Sequence, residues 1–338
     1  MNAVGLPVPH ILDQSIDCSP AYHCGPPGIM RHSSRDSSKL AAIDVAMGII
    51  YLSQTVVGAL GNSSLLLRYL VLYFTGCRVR YTDMILQHLF VANLLSLLCR
   101  GVPQTVESFG VKDFHSDIGC KLLFYVHRVG RGVSLVSTCL LSIFQVIKIS
   151  PGDSRWADLK VKSPKYIGSS MSLSWILYML INTFNLIYIT GKWSNTSVTN
   201  IKDVGYCSAT HPDTTTVSFL AAFLTFPDAV CVGLMLWSSS SMVLILHRHK
   251  QRMMHIHKAS THRSSPESRA TKTILALVST FVSFYTLSSI FQCWMTLISN
   301  PKWFVVHMGA IVTGCFPAVS PFLLLSPDSR FCFAWKQN

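Results

Sequence analysis

Five side chains carry charge or titratable nitrogen where the surrounding sequence is apolar: Glu107, His127, Arg128, Arg131 and Asp228. Inside a membrane-length apolar stretch an ionisable group is costly, so it faces a wet cavity or a partner. Arg128 and Arg131 are three residues apart and so share a helix face. Two chemistries fit this set. In one, the arginines and His127 form the floor or wall of a ligand pocket, with Glu107 and Asp228 beside them. In the other, Glu107 or Asp228 neutralises an arginine within the helices, and the pair is structural. Both are recognition or packing chemistry, not turnover. The chain has no phosphate-binding P-loop, no HExxH and no G-x-S-x-G, so no catalytic residue is assigned. No cofactor is assigned either. His247, His249, His255, His257 and His262 are dense but lack paired-ligand spacing, so no metal is assigned.

The elements that must position these residues follow from composition. Half of the 338 residues are hydrophobic and only 13% are charged, against about 25% in a soluble domain. No single core hides that much apolar surface from water, and a bilayer is the natural solvent for it. There is no polar excess, no Gly-X-Y period and no heptad array, which excludes disorder, collagen and coiled coil. The net charge of +13 falls in short runs between apolar stretches, as in cytoplasmic loops, and does not form the face of a nucleic-acid-binding domain.

Seven apolar stretches are read, at about 42–74, 84–104, 118–149, 166–189, 217–246, 273–298 and 303–325. A spanning helix needs about 20 mostly apolar residues. The fourth, fifth and sixth meet this easily. The second is short and polar, with Gln87, His88 and Asn93, and the third contains Arg128 and Arg131, so hydropathy is weakest there. No signal peptide is read at Met1–Leu12, and the first span serves as the targeting signal. Basic residues concentrate in the first, third and fifth connections and after the last span. The positive-inside bias then puts the N-terminus outside and the C-terminus in the cytoplasm. The fold expected is an all-α membrane protein, a seven-transmembrane-helix bundle of the plasma membrane. Residues 1–41 form a flexible extracellular tail, 42–325 the bundle and 326–338 a short cytoplasmic tail.

Among the 11 cysteines, Cys120 at the outer start of span three and Cys207 in the following outer loop both face an oxidising compartment, and a disulfide between them is expected. Cys18 and Cys24 could also pair with each other. Cys332 has the juxtamembrane position of a palmitoylation site. Asn195 opens an Asn-Thr-Ser sequon in an outer loop and is the expected glycan site. Asn62 also opens a sequon, but it lies inside span one. With Asn93 it is expected to form hydrogen bonds between helices. Pro103, Pro227, Pro317 and Pro321 are candidates for bending points, or for static kinks.

Several ordered motifs carry a resemblance. Span two exits through CRGVPQT from Cys99, span three holds HRVGRGVS from His127 and TCLLSIFQVIKISP from Thr138, and span five carries FPDAVCVG from Phe226. Span six follows SPESRATKTILALVSTFVSFY from Ser265, and span seven reads CFPAVSPFLLL from Cys315. Each alone is weak. Together, from about residue 45 to 330, they resemble the vomeronasal type-1 receptors, a family of seven-helix G protein-coupled receptors. The bitter taste receptors are the close alternative.

The resemblance implies a chemosensory receptor that binds a small, mostly apolar, pheromone-like molecule in the bundle and activates a heterotrimeric G protein of the inhibitory class. Because HRVGR is a shared pattern, ligand choice falls to non-shared residues in the outer halves of spans three, five and six. The wider rhodopsin-like class has an acidic-Arg-Tyr triplet where this chain has Phe144-Gln145-Val146, and an Asn-Pro pair where it has Ser320-Pro321. Gln145, Arg248, Lys250, Arg252, Arg269 and Lys272 are assigned to the G protein-facing side. The basic ones also suit anionic lipid, at about 1 kcal/mol per charge near the surface. Two other classes fit less well. One is an accessory seven-helix protein that pairs with other receptors without signalling. The other is a small transporter or channel, against which stands the lack of paired intramembrane carboxylates and interrupted repeats.

Overall fold

The computed structural model describes residues 27–76, 81–111, 116–150, 156–184, 186, 189–190, 201–203, 207–210, 214–256, 266–297 and 303–325. Seven helices account for most of them: α1 Pro27–Phe74, α2 Tyr81–Ser108, α3 Asp117–Ile149, α4 Trp156–Thr183, α5 Thr214–Ile256, α6 Pro266–Leu297 and α7 Trp303–Leu325. The chain divides into two compact units after Ile43. What is described of the first unit is the start of α1; the second holds everything below.

The boundaries have local causes. Pro27 opens α1, where its missing N–H costs no helical bond, and the helix starts well before the apolar stretch it was expected to match. Ser116 caps α3 by accepting a hydrogen bond from the Gly119 amide at 3.2 Å. Asp117 and Lys121 pair one turn apart at 3.1 Å. Gly76 and Gly110 follow the ends of α1 and α2 with φ of 74° and 91°, the left-handed conformation that glycine adopts without a Cβ clash.

Large apolar side chains project outward along the helices, among them Leu60, Leu67, Leu173, Leu180 and Phe226. In water such a surface would aggregate; in a bilayer it is the solvated face. Among the described residues six helices are long and apolar enough to cross a membrane, and they include α2 and α3. The expected ranking is thereby corrected. Their polar residues point inward and leave the apolar majority to decide, whereas α4 falls short because Ser169, Ser170, Ser172 and Ser174 dilute it. Nor does α4 reach residue 189; it ends at Thr183.

Beyond α4 the connection contains a feature that was not expected. Three short antiparallel strands, β1 Ile189–Thr190, β2 Ile201–Asp203 and β3 Ser208–Thr210, pair in the order β1-β3-β2, with Ile189 opposite Ala209 and Lys202 opposite Ala209. The expected disulfide is present. Cys120 and Cys207 are bonded with Cα atoms 5.9 Å apart, which moors this sheet to the first turn of α3.

At the centre stands α3, packed against α2, α4, α5 and α6. Small residues allow the approach. A Cβ on Gly130 would sit 2.8 Å from the Ala92 carbonyl oxygen, so α2 and α3 touch backbone to backbone. Polar groups then lock α1, α2, α3 and α7. Pro321 has no N–H to give the Pro317 carbonyl one turn earlier. The Asn62 side chain takes that place, donating to the Pro317 oxygen at 2.9 Å and to the Gly58 oxygen at 2.7 Å. Asn93 donates to the Ser320 hydroxyl at 2.9 Å and accepts from the Ser134 hydroxyl at 2.8 Å. The expected role of Asn62 and Asn93 as interhelical links is what these contacts show.

Candidate functional site

The intramembrane charges do not converge on one point. A step of three residues rotates a side chain by about 60° on the helix, and that suffices to send Arg128 and Arg131 to different neighbours. Arg128 turns to α4, where its Nε donates to the Asn182 side-chain oxygen at 3.0 Å. Asn182 in turn donates to the Tyr178 carbonyl at 2.8 Å. Arg131 turns to α6 and places its guanidinium 4.7 Å from the centre of the Tyr285 ring, a cation over an aromatic face.

The ion pair weighed between an arginine and Asp228 is not what forms. The Asp228 carboxylate accepts from the Tyr178 hydroxyl on one oxygen, at 2.7 Å, and from the Tyr285 hydroxyl on the other. Two short phenol donors serve the carboxylate, and no guanidinium has to be buried against it. The result is a polar belt, with Arg128 and Arg131 on α3, Asn182 and Tyr178 on α4, Asp228 on α5 and Tyr285 on α6. Among the described residues no carboxylate pairs with Arg131.

Inside this belt lies a small hollow between α2, α3, α6 and α7. Arg131 and Tyr285 give it a cationic, hydrogen-bonding wall. Phe281, Phe284, Phe316 and Val312 make the rest apolar, and Ser96, Ser134, Ser288 and Thr313 add hydroxyls. Phe281 and Phe316 meet edge to face with centroids 4.4 Å apart, which fixes one wall. The Ser288 and Thr313 hydroxyls bond each other at 2.9 Å across α6 and α7. An apolar hollow with one charged wall suits a small, mostly apolar molecule that carries an acceptor group.

A second small hollow lies between α1, α2, α3 and α7. His127 lines this one, together with Arg100 and Gln104, and its Nδ1 is held by Ser96 on α2. The five expected site residues are therefore dispersed. Arg131 lines the first cavity and His127 the second, while Glu107, Arg128 and Asp228 line neither. The sequence reading missed Tyr285, Phe281 and Phe284, although their spacing along span six was a visible signal for one helix face. It also missed Arg100, an arginine within an apolar stretch like the two it chose.

On the other side of the bundle, Gln145 is not at the surface. It is buried and donates to the buried Thr271 hydroxyl on α6 at 2.9 Å. Arg248 near the end of α5 and Lys272 near the start of α6 are exposed. Lys250, Arg252 and Arg269 lie on the same two helices. Asn195, Cys18, Cys24 and Cys332 lie outside the described residues.

The family model of the vomeronasal organ pheromone receptors matches residues 45–336. Human vomeronasal type-1 receptor 4 is 56% identical over 302 residues, covering 88% of this chain and all of that protein. Human vomeronasal type-1 receptor 2 is 52% identical, covering 83% of this chain and 72% of its own length. A zebrafish (Danio rerio) protein, olfactory receptor class A-like protein 1, is 28% identical, covering 84% of this chain and 89% of its own length.

Proposed function

The chain belongs to the vomeronasal organ pheromone receptor family, and on that footing we propose that it binds a small molecule in the cavity beside Arg131 and activates a heterotrimeric G protein in response. As a member of a receptor family with six or more membrane-spanning helices, it is a multi-pass plasma membrane protein and not an enzyme. The single observation that carries the ligand reading is Arg131. Its guanidinium stands over Tyr285 at the edge of an apolar cavity, with no carboxylate partner among the described residues. A charge left so in a bilayer gains from a ligand acceptor. The ligand is mostly apolar, with one oxygen-bearing group directed at Arg131 and its body against Phe281, Phe284 and Phe316.

The N-terminus faces outside and the C-terminus faces the cytoplasm. This places the sheet and its disulfide on the ligand side, with Asn195 available for glycosylation. On the opposite side Arg248, Lys250, Arg252, Arg269 and Lys272 form the basic rim on α5 and α6 that meets the G protein or anionic lipid. Gln145 acts from within the bundle by its contact with Thr271. Signalling requires two helix arrangements with different affinity for ligand and G protein.

The test is ligand-dependent nucleotide exchange in cells displaying the chain, against a panel of volatile and steroid-like molecules, with Arg131→Ala matched for surface expression. A response that the variant loses supports the reading. Silence of the displayed chain beside a responsive control receptor overturns it and favours a non-signalling role in pairs with other receptors.

A further inference from the structure

We propose that Cys139 on α3 and Cys231 on α5 are a redox-convertible pair, which a peroxide joins into a disulfide that clamps the two helices together. The inference is independent of ligand binding and of signalling.

Both residues are free thiols, and the Cys120–Cys207 bond does not involve them. A cysteine within a span ordinarily serves as a small apolar filler. These two differ because they face each other. Cys231 packs against the buried cluster that contains Cys139, and the two side chains are within hydrogen-bond reach. Their helices are in direct contact. Sulfurs so placed have converging Cβ vectors, which a disulfide requires. The bond holds its sulfurs about 2 Å apart, and packed helices shift by about 1–2 Å in ordinary transitions. Pro227 lies inside α5 about one turn before Cys231. It removes a backbone hydrogen bond there, so α5 can bend towards α3 at this level.

The exposure of the pair is uneven, and this sets the order of events. Cys139 is 3% exposed, whereas Cys231 is half-buried. A small neutral oxidant such as hydrogen peroxide enters the bilayer and meets Cys231 first. The Cys231 sulfur attacks the O–O bond and keeps one oxygen as a sulfenic acid; its proton leaves with the other oxygen as water. The Cys139 sulfur then attacks the sulfenic sulfur and forms the S–S bond. Its proton joins the departing hydroxide as a second water. The two thiols lose two electrons and the peroxide gains them. Because the resolving thiol is at hand, the sulfenic acid is consumed before further oxidation.

The test uses the full-length chain in lipid nanodiscs. Hydrogen peroxide is added, remaining thiols are blocked with N-ethylmaleimide, and the digested chain is read by mass spectrometry. Loss of maleimide labelling at both residues is expected, with a peptide pair linked through Cys139 and Cys231. Dithiothreitol should then restore the labelling. In Cys139→Ala the resolving thiol is missing, so dimedone is expected to trap Cys231 as the sulfenic acid, which it does not do in the parent. In Cys231→Ala, Cys139 should stay reduced. The measurement on the parent needs no substitution, so a variant that fails to fold leaves the test intact. Full labelling of both thiols after peroxide overturns the proposal. A bond from either residue to a third cysteine overturns it, as does dimedone trapping of Cys231 in the parent without a linked peptide.

Discussion

The Gln145 side chain donates to the Thr271 hydroxyl at 2.9 Å, tying the last turns of α3 to the first turns of α6 between two buried residues. Gln145 stands where the rhodopsin-like class has the arginine of its triplet. The tie has to break for the helices to part. One net hydrogen bond is worth about 1 kcal/mol, so Gln145→Leu is expected to raise ligand-independent nucleotide exchange about fivefold. Thr271→Val should do the same. The double variant should exceed neither single one, because both remove the same bond. Additive effects would mean that the two residues act separately.

Asn62 replaces the hydrogen bond that Pro321 denies to the Pro317 carbonyl. Asn62→Leu leaves that carbonyl unpaired in the bilayer and also removes the side-chain oxygen that accepts from Asn93 at 3.4 Å. A loss of about 1–3 kcal/mol is expected, seen as a lower melting temperature in detergent or nanodiscs. An unchanged melting temperature would show that water already serves the carbonyl.

The Cys120–Cys207 bond spans a sequence separation of 87 residues. A loop of that length contributes on the order of 4 kcal/mol through the unfolded state. Cys207→Ser is expected to reduce surface display sharply and to make Cys120 reactive to a membrane-impermeant maleimide. Wild-type-like display of this variant would show that the sheet docks without the bond.

Asp228 satisfies the hydroxyls of Tyr178 and Tyr285 together and so bridges α4, α5 and α6. Asp228→Leu leaves two buried phenols without acceptors. Charge-assisted bonds are worth about 1.5–3 kcal/mol each, and the variant should melt well below the parent. It should also weaken any response that depends on Arg131, since Tyr285 is the ring beneath that guanidinium. Asp228→Asn keeps an acceptor oxygen and should fall between the two. A Leu variant as stable as the parent would mean that the tyrosines find other acceptors.

How much of this was legible beforehand depends on whether a feature is local. Seven helices, their order and the membrane setting follow from apolar stretches of fixed length, because the bilayer demands internally satisfied backbone over about 20 residues. The Cys120–Cys207 bond followed from topology. Asn62 and Asn93 were legible as interhelical links because an amide in hydrocarbon has few other uses. The family itself was legible from ordered motifs such as HRVGRGVS and CFPAVSPFLLL.

Contact between distant segments was not legible. Which way Arg128 and Arg131 point depends on the azimuth of α3 against α4 and α6, and a rotation of about 60° per three-residue step separates Asn182 from Tyr285 as partner. Asp228 was expected beside an arginine because charge attracts charge. Tyr178 and Tyr285, 107 positions apart in the chain, reach it first, and no pattern in the sequence relates them. Gln145 was assigned to the G protein-facing side, but its bond to Thr271 on α6 was not legible. Sequence alone determined which residues a bilayer would force inward. Only the packing of seven helices around α3 decided which of those residues meet, since each meeting is a distance across the bundle and not a spacing along the chain.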